Sequence, residues 1–180
     1  MRLHSRLWIV AAFAITSLFA GCHRGGDSSS SSSGSSTTSA TGGTLSGTAA
    51  VGAAISGGTV SAICSGGSPG TVATSSAGAF TINVRAGFSP PCILRVSGGT
   101  VNGAASPYVL HSLATGFGQI NITSLTEMIV ARAAAQQPSA VFDGYTLALG
   151  STIAAALSSA QAYVRTGFAA VSGLSVPSVD

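Results

Sequence analysis

This sequence has no lysine, and in 180 residues it has only four carboxylates: Asp27, Glu127, Asp143 and Asp180. Charged residues make up 6% of it. With no lysine and no run of arginine there is no electrostatic footprint for nucleic acid, so a nucleic-acid partner is excluded. The formal charge of +3 overstates even this, because Arg2 and Arg6 sit at the extreme N-terminus. Without them five arginines face four carboxylates. No two carboxylates are close in sequence, and His111 is the only histidine beyond the polar N-terminal segment. General acid–base chemistry therefore has few groups to draw on. No histidine or second cysteine stands at ligand spacing from Cys64 or Cys92, so neither a metal nor another cofactor is expected. After residue 21 no stretch reaches ~18 unbroken apolar residues, the length a membrane-spanning helix needs.

The N-terminus is organised. Arg2 and Arg6 form a short positive region, and Leu7 to Leu18 is apolar but too short for a stable span. Leu18-Phe19-Ala20-Gly21-Cys22 follows, small residues running into a cysteine. It resembles the lipobox of bacterial lipoproteins, with Phe19 where Leu is commoner. The resemblance implies a signal peptide over residues 1–21 and a lipidated Cys22 as the first mature residue. His23 stands after the cysteine where Asp would favour retention in the inner membrane, which implies the outer membrane. The expected location is thus the cell envelope, with the membrane as partner through a lipid anchor.

Residues 22–43 are rich in Ser, Gly and Thr, including Ser28 to Ser33. Such a chain cannot bury enough apolar surface to offset its ordering entropy. A flexible coil of ~20 residues spans about 25 Å r.m.s., enough to hold a domain just off a membrane. What remains is near the size of one domain.

From Thr44 the texture becomes β-prone. Leu45 to Val51, Thr59 to Cys64, Thr71 to Thr74, Phe80 to Val84 and Cys92 to Ser97 are short runs separated by Gly, Ser and Pro clusters. Strands at ~8–12-residue spacing predict a small antiparallel β-sandwich over residues 44–114. Alternation puts Val60, Ala62 and Cys64 on one strand face, Phe80, Ile82 and Val84 on another, and Cys92, Leu94 and Val96 on a third. Both cysteines thus point inward, where a disulfide could join two strands across the core. An exported chain meets an oxidising compartment, and closing a loop of ~29 residues stabilises by about 3.6 kcal/mol in the chain-entropy account. The alternative is two buried thiols.

Val51-Gly52-Ala53-Ala54-Ile55-Ser56-Gly57-Gly58-Thr59-Val60 and Thr74-Ser75-Ser76-Ala77-Gly78-Ala79-Phe80-Thr81-Ile82 resemble the opening segment and the turn-and-strand of carboxypeptidase regulatory-like, or transthyretin-like, domains. Cys92 to Gly99 matches their closing strand. The resemblance implies a sandwich that serves as a structural or surface module. Ser75 replaces the family's Asp, so a carboxylate role at that turn is absent. An immunoglobulin-like sandwich is the other expectation within the class.

Tyr108 to Leu113 is one further possible strand. Beyond it, residues 115–180 read as a helical extension packing on the sandwich, with two helices. Ser124 and Glu127 fit a capping box for the first, with Thr123 a competing N-cap one residue earlier, and the helix is expected to run to Pro138. Asp143-Gly144 reads as a turn. Leu149, Ile153, Leu157, Ala160, Val164, Phe168 and Val171 make the stripe of the second, stopped by Gly173 and Pro177. That stripe is expected to be core, or else a surface for an envelope protein partner. His111 to Ala131 also resembles a segment that follows such β-domains in proteobacterial lipoproteins, which implies a chain stopping short of those relatives.

Two constellations could carry chemistry. Gly66-Gly67-Ser68-Pro69-Gly70 matches the hydrolase elbow as a string, but Pro69 has no N–H for the oxyanion hole, and a hairpin loop is expected. His111 could act as a base with Ser112, Glu127, Asp143 or Asp180. Ser112 is a poor partner because adjacent strand residues face opposite ways. A lone surface or half-buried histidine is expected, with Glu127 capping its own helix. No catalytic residue is therefore assigned. The expectation is a lipid-anchored envelope protein with a structural or binding role, or else an accessory subunit of an enzyme whose catalytic part lies elsewhere.

Overall fold

A computed structural model describes residues 41–172. The expected signal peptide, Cys22, most of the expected Ser/Gly tether and the expected stops at Gly173 and Pro177 lie outside the described residues.

The fold is mainly β, with a helical C-terminal part. Strands β1 (Thr41–Ala50) and β4 (Ala79–Arg85) pair antiparallel, while β9 (Gly118–Gln119) and β10 (Ile122–Thr123) both pair with β1 in parallel. A second sheet runs in the order β3 (Gly67–Ala73), β2 (Thr59–Ser65), β5 (Ser89–Ser97), β8 (Leu110–Ala114), antiparallel throughout. Two short strands, β6 (Thr100–Val101) and β7 (Ala104–Ala105), form a separate hairpin.

The alternating faces meet as expected. Val60, Ala62 and Cys64 of β2, Phe80, Ile82 and Val84 of β4, and Cys92, Leu94 and Val96 of β5 are buried in one cluster with Leu45 and Ala49 of β1. The two sheets therefore face each other across a shared core. Each fully buried Leu, Ile or Val there contributes about 1.5–3 kcal/mol relative to exposure.

Cys64 and Cys92 are joined in a disulfide, with Cα atoms 4.0 Å apart. The bond does not cross the core. β2 and β5 are neighbours in one sheet, and Ile63 stands opposite Ile93 in register. The two cysteines are thus a cross-strand pair on the inward face. The register shifts between Ile63 and Ser65, so the bridge lies at the irregularity itself, next to the last regular pair.

β3 begins at Gly67, four residues before the expected strand, so the hairpin turn is confined to Ser65-Gly66. Gly66 has φ +95°, and a Cβ there would lie 2.3 Å from the Gly87 carbonyl oxygen, so only glycine fits.

Three helices follow the strands, where two are expected from the sequence. α1 spans Ser124–Ala134, α2 Pro138–Asp143 and α3 Leu147–Ser172. Ala135 adopts the left-handed region (φ 51°) and ends α1 before Pro138. The proline then does the opposite of stopping a helix: it opens α2, where a missing N–H costs nothing. Asp143 is the last residue of α2 and Gly144 its C-cap, in place of an isolated turn. The N-cap of α1 is Thr123, paired reciprocally with Thr126, so the Ser124–Glu127 box does not form.

The helices cover the outer face of the second sheet. Ile93 of β5 and Leu113 of β8 point away from the first core and meet Val130 of α1, Val141 and Phe142 of α2, and Ile153 of α3. β8 is consequently buried along its whole length. The hydroxyl of Tyr145 donates to the Pro91 carbonyl at 2.6 Å and fastens the start of α3 to β5. A Cβ on Gly150 would lie 2.1 Å from that hydroxyl, which explains a glycine inside a helix.

The disulfide is expected to be a main source of stability for so small a core. Replacing both Cys64 and Cys92 by Ala should lower the unfolding free energy by about 2–5 kcal/mol in urea denaturation. Mass mapping of the unreduced parent should recover the two cysteine peptides linked.

Candidate functional site

The His111–Glu127 pair and the Arg95–Asp143 ion pair both lie where the helices meet the second sheet. β8 is the edge strand of that sheet. Leu110 and Ala114 face the first core and Leu113 the second, so His111, two residues from Leu113, also faces the helices. Its side chain is 0% exposed.

Helix α1 supplies the partners. The Glu127 Oε2 accepts the backbone N–H of His111 and lies 2.9 Å from His111 Nδ1. Thr126 Oγ1 is 2.9 Å from the His111 carbonyl oxygen and equally close to that of Thr123, while accepting the Thr123 N–H at 2.8 Å. Both backbone groups of His111 are therefore met by side chains of α1. The edge that another strand would otherwise extend is closed there by a helix.

The hydrogen-bond pattern assigns the ring's tautomer. An ionised carboxylate only accepts, so Nδ1 carries the proton that points at Glu127. Nε2 is buried and has no hydrogen-bond partner among the described residues. The Phe142 ring lies beside the imidazole, centroids 5.9 Å apart.

Next to this pair, Arg95 of β5 sits opposite His111 in register. Its guanidinium lies 4.1 Å above the Phe142 ring and 3.3 Å from Asp143 Oδ1. The Asp143 side chain is 71% exposed, so the ion pair contributes at most about 1 kcal/mol. The stacking over Phe142 positions Arg95 as much as the charge does.

Several expectations change. Glu127 does not cap its own helix; with Thr123 as N-cap its carboxylate is free to reach β8. His111 is neither surface nor half-buried. Of its possible partners the structure brings it to Glu127, while Asp143 pairs with Arg95 and Asp180 lies outside the described residues. Ser112 follows His111 with opposite strand parity, as expected. Ser68 lies on β3 with strand on both sides of the turn, and its hydroxyl donates to the Ala62 carbonyl at 3.0 Å. Asn121 Oδ1 accepts the Thr48 N–H at 3.0 Å, tying the approach to α1 onto β1. Among the described residues no group of three or more His, Cys, Asp or Glu could hold a metal.

Beside this seam, Val164, Phe168 and Val171 of the stripe expected to be core or a partner surface line an open groove, which the spacing alone does not distinguish from core. The groove is apolar, has a volume of about 470 Å³ and lies between α1 and α3, lined by Met128, Arg132, Tyr163, Val164, Gly167, Phe168 and Val171. The Arg132 guanidinium stacks 4.4 Å over the Tyr163 ring. The segment Leu147–Val171, with a mean hydropathy of 1.3, is long and apolar enough to cross a membrane by length and composition. No unbroken apolar run signals it, because Ser, Thr and Gly interrupt the alanines. Its first half packs on the sheet through Leu149, Ile153 and Leu157.

Compared with known proteins, the chain matches no family model and no curated protein sequence.

Two measurements check this seam. Glu127→Ala leaves the His111 N–H and Nδ1–H without acceptors, and should cost about 1–3 kcal/mol of stability in urea, with the denaturant slope unchanged. Long-range ¹⁵N–¹H spectra of the parent should show the His111 proton on Nδ1. Tyr145 gives a separate, pH-dependent prediction. Burial pushes its phenol from the ordinary 10.0 up to about 12. The folded value is the higher one, so its contribution to stability is complete below pH 10 and is lost as pH rises from 10 towards 12. Tyr145→Phe should flatten the fall in urea midpoint across that window.

Proposed function

We propose that this chain is a lipid-anchored cell-envelope protein, held at the outer membrane by Cys22, with a structural or binding role and no catalysis of its own. The observation that carries the reading is the Cys64–Cys92 disulfide, because such a bond persists in compartments outside the reducing cytosol. It agrees with the lipobox-like Ala20-Gly21-Cys22, read independently from the other end of the chain.

Within the envelope reading the β-domain is a transthyretin-like sandwich of the carboxypeptidase regulatory-like kind. In an immunoglobulin-like sandwich the first two strands share a sheet and the third lies in the other. Here β1 pairs with β4, while β2 pairs with β3. That order supports the transthyretin-like alternative. The binding role is supported by the employment of the polar groups. His111 and Glu127 fasten helix to sheet, and Ser68 bonds to a backbone carbonyl, so each of these candidates already has a structural task.

Cys22→Ala is expected to release the protein into the soluble fraction or to leave the leader uncleaved. Detergent partitioning like the parent's, with the leader removed, would overturn the anchor. A serine-directed fluorophosphonate probe is expected to leave Ser68 unlabelled, and stoichiometric labelling there would favour an enzyme.

A further inference from the structure

Helix α3 is one helix with two environments. Up to Leu157 its stripe packs on the second sheet in the second core cluster. From Tyr163 onward the same side of the helix faces α1, and with it lines an open groove. Tyr163 is 62% exposed and Val171 91%. So much exposed apolar and aromatic side chain in one place marks an interaction surface.

The charge around the groove says what covers it. Its wall carries Arg132, and Arg165 lies one turn before Phe168 on the adjoining face of α3. The carboxylates of the described residues are Glu127 and Asp143, and both are engaged elsewhere, on His111 and Arg95. Neither Arg132 nor Arg165 forms an ion pair among the described residues. The groove therefore has apolar walls, an aromatic ring with a polar tip at Tyr163, and one arginine, Arg132, in its lining, with Arg165 a turn of helix from Phe168; neither arginine meets a carboxylate of the described residues. A second copy of this chain docked groove to groove would bring four arginines together, which like-charge repulsion opposes. An anionic phospholipid surface offers acyl chains to the apolar walls, an interfacial layer to Tyr163 and phosphates to both arginines.

We propose that the α1–α3 groove rests on the membrane, with Val171, Val164 and Met128 dipping into the interface of an anionic phospholipid bilayer and Arg132 and Arg165 meeting its headgroups. This rests on the anchored reading above. A tether of ~20 residues lets the domain reach the surface, and the groove fixes which face turns towards it. The domain then lies on the membrane with a set orientation, its opposite face free for other partners.

The test uses the full chain, carrying Trp8→Phe and Val171→Trp so that the groove holds its one indole, purified from envelopes and added to vesicles. Vesicles of phosphatidylcholine with phosphatidylglycerol should shift the indole emission to the blue and allow quenching by brominated lipid. Phosphatidylcholine alone should give a much smaller shift, and added salt should weaken it. Arg132→Glu with Arg165→Glu should lower the groove's partitioning by at least about 30-fold, while Arg85→Glu, remote from the groove, should not. Solvent-like emission on both vesicle types overturns the inference. So does a blue shift that grows with protein concentration in the absence of vesicles, which would mark a second copy as the occupant. An equal shift on both vesicle types that charge reversal leaves unchanged overturns it as well. Flotation with the vesicles is scored separately and reports the lipid anchor: a protein that floats with an unshifted indole keeps the anchor and loses the groove.

Discussion

Strand β8 ends its sheet, and an edge strand leaves N–H and C=O groups that water, another strand or a neighbouring element must satisfy. In this protein water cannot do so at His111, because the helices bury β8 completely. Another strand cannot do so either, because α1 occupies the space. The backbone of His111 is closed instead by Glu127 and Thr126, consecutive residues on α1. Much of the C-terminal half depends on that closure. It fixes the rotation of α1 about its axis, which turns Val130 towards Leu113 and Ile93. It also orients the imidazole beside Phe142, which in turn supports the Arg95 guanidinium.

The closure explains how a chain so poor in charge uses its few ionisable groups. A carboxylate that gives up part of its hydration needs donors on its oxygens, and the Glu127 side chain is only 25% exposed. Glu127 is met by two donors from one residue, a backbone N–H and a ring N–H. Asp143, by contrast, is mostly exposed and needs no such arrangement. The scarcity of charge elsewhere is consistent with a domain held by apolar packing on both faces of one sheet and by one cross-strand disulfide. Nearly every polar task in the interior falls to Ser, Thr and Asn, as with the Thr74 hydroxyl, which donates to the Ile55 carbonyl and accepts the Gly58 N–H.

What was legible in the sequence was what repeats. The period of two in Phe80-Thr81-Ile82-Asn83-Val84 and in Val60 to Cys64 placed the right side chains in the core. β9, β10, β6 and β7 were illegible, since two residues carry no period. The cysteine pairing was legible but its place was not, because alternation gives the face of a strand and says nothing about which strands are neighbours. The N-cap of α1 was ambiguous for a related reason. Thr123–Thr126 and Ser124–Glu127 both satisfy the three-residue spacing, and the choice was made by β10, which holds Thr123 in the extended conformation an N-cap requires. Shifting the cap by one residue then released Glu127 to bind His111, so the polar seam followed from a tertiary constraint absent from the local pattern. α2 was missed because six residues between a proline and a glycine look like a loop until packing on β8 and β5 makes them helical.

The stripe of α3 carries the same lesson into function. Leu149, Ile153, Leu157, Ala160, Val164, Phe168 and Val171 keep helical spacing throughout, and nothing in that spacing changes where the sheet beneath them ends. Periodicity reports that a helix has one apolar side; it does not report what covers that side. The covering must be read from the surroundings. Beneath the first half lie Ile63 and Ile93, apolar and already desolvated by the fold. Beside the second half lie Met128, a tyrosine stacked on an arginine, and a second arginine without a described counter-charge. A core position has no use for an unpaired guanidinium, whose desolvation would go uncompensated. At the boundary between water and an anionic surface the same guanidinium keeps its hydration on one side and finds phosphate on the other. The position of the arginines, not the apolar stripe itself, therefore separates the part of α3 that builds the domain from the part that faces outward.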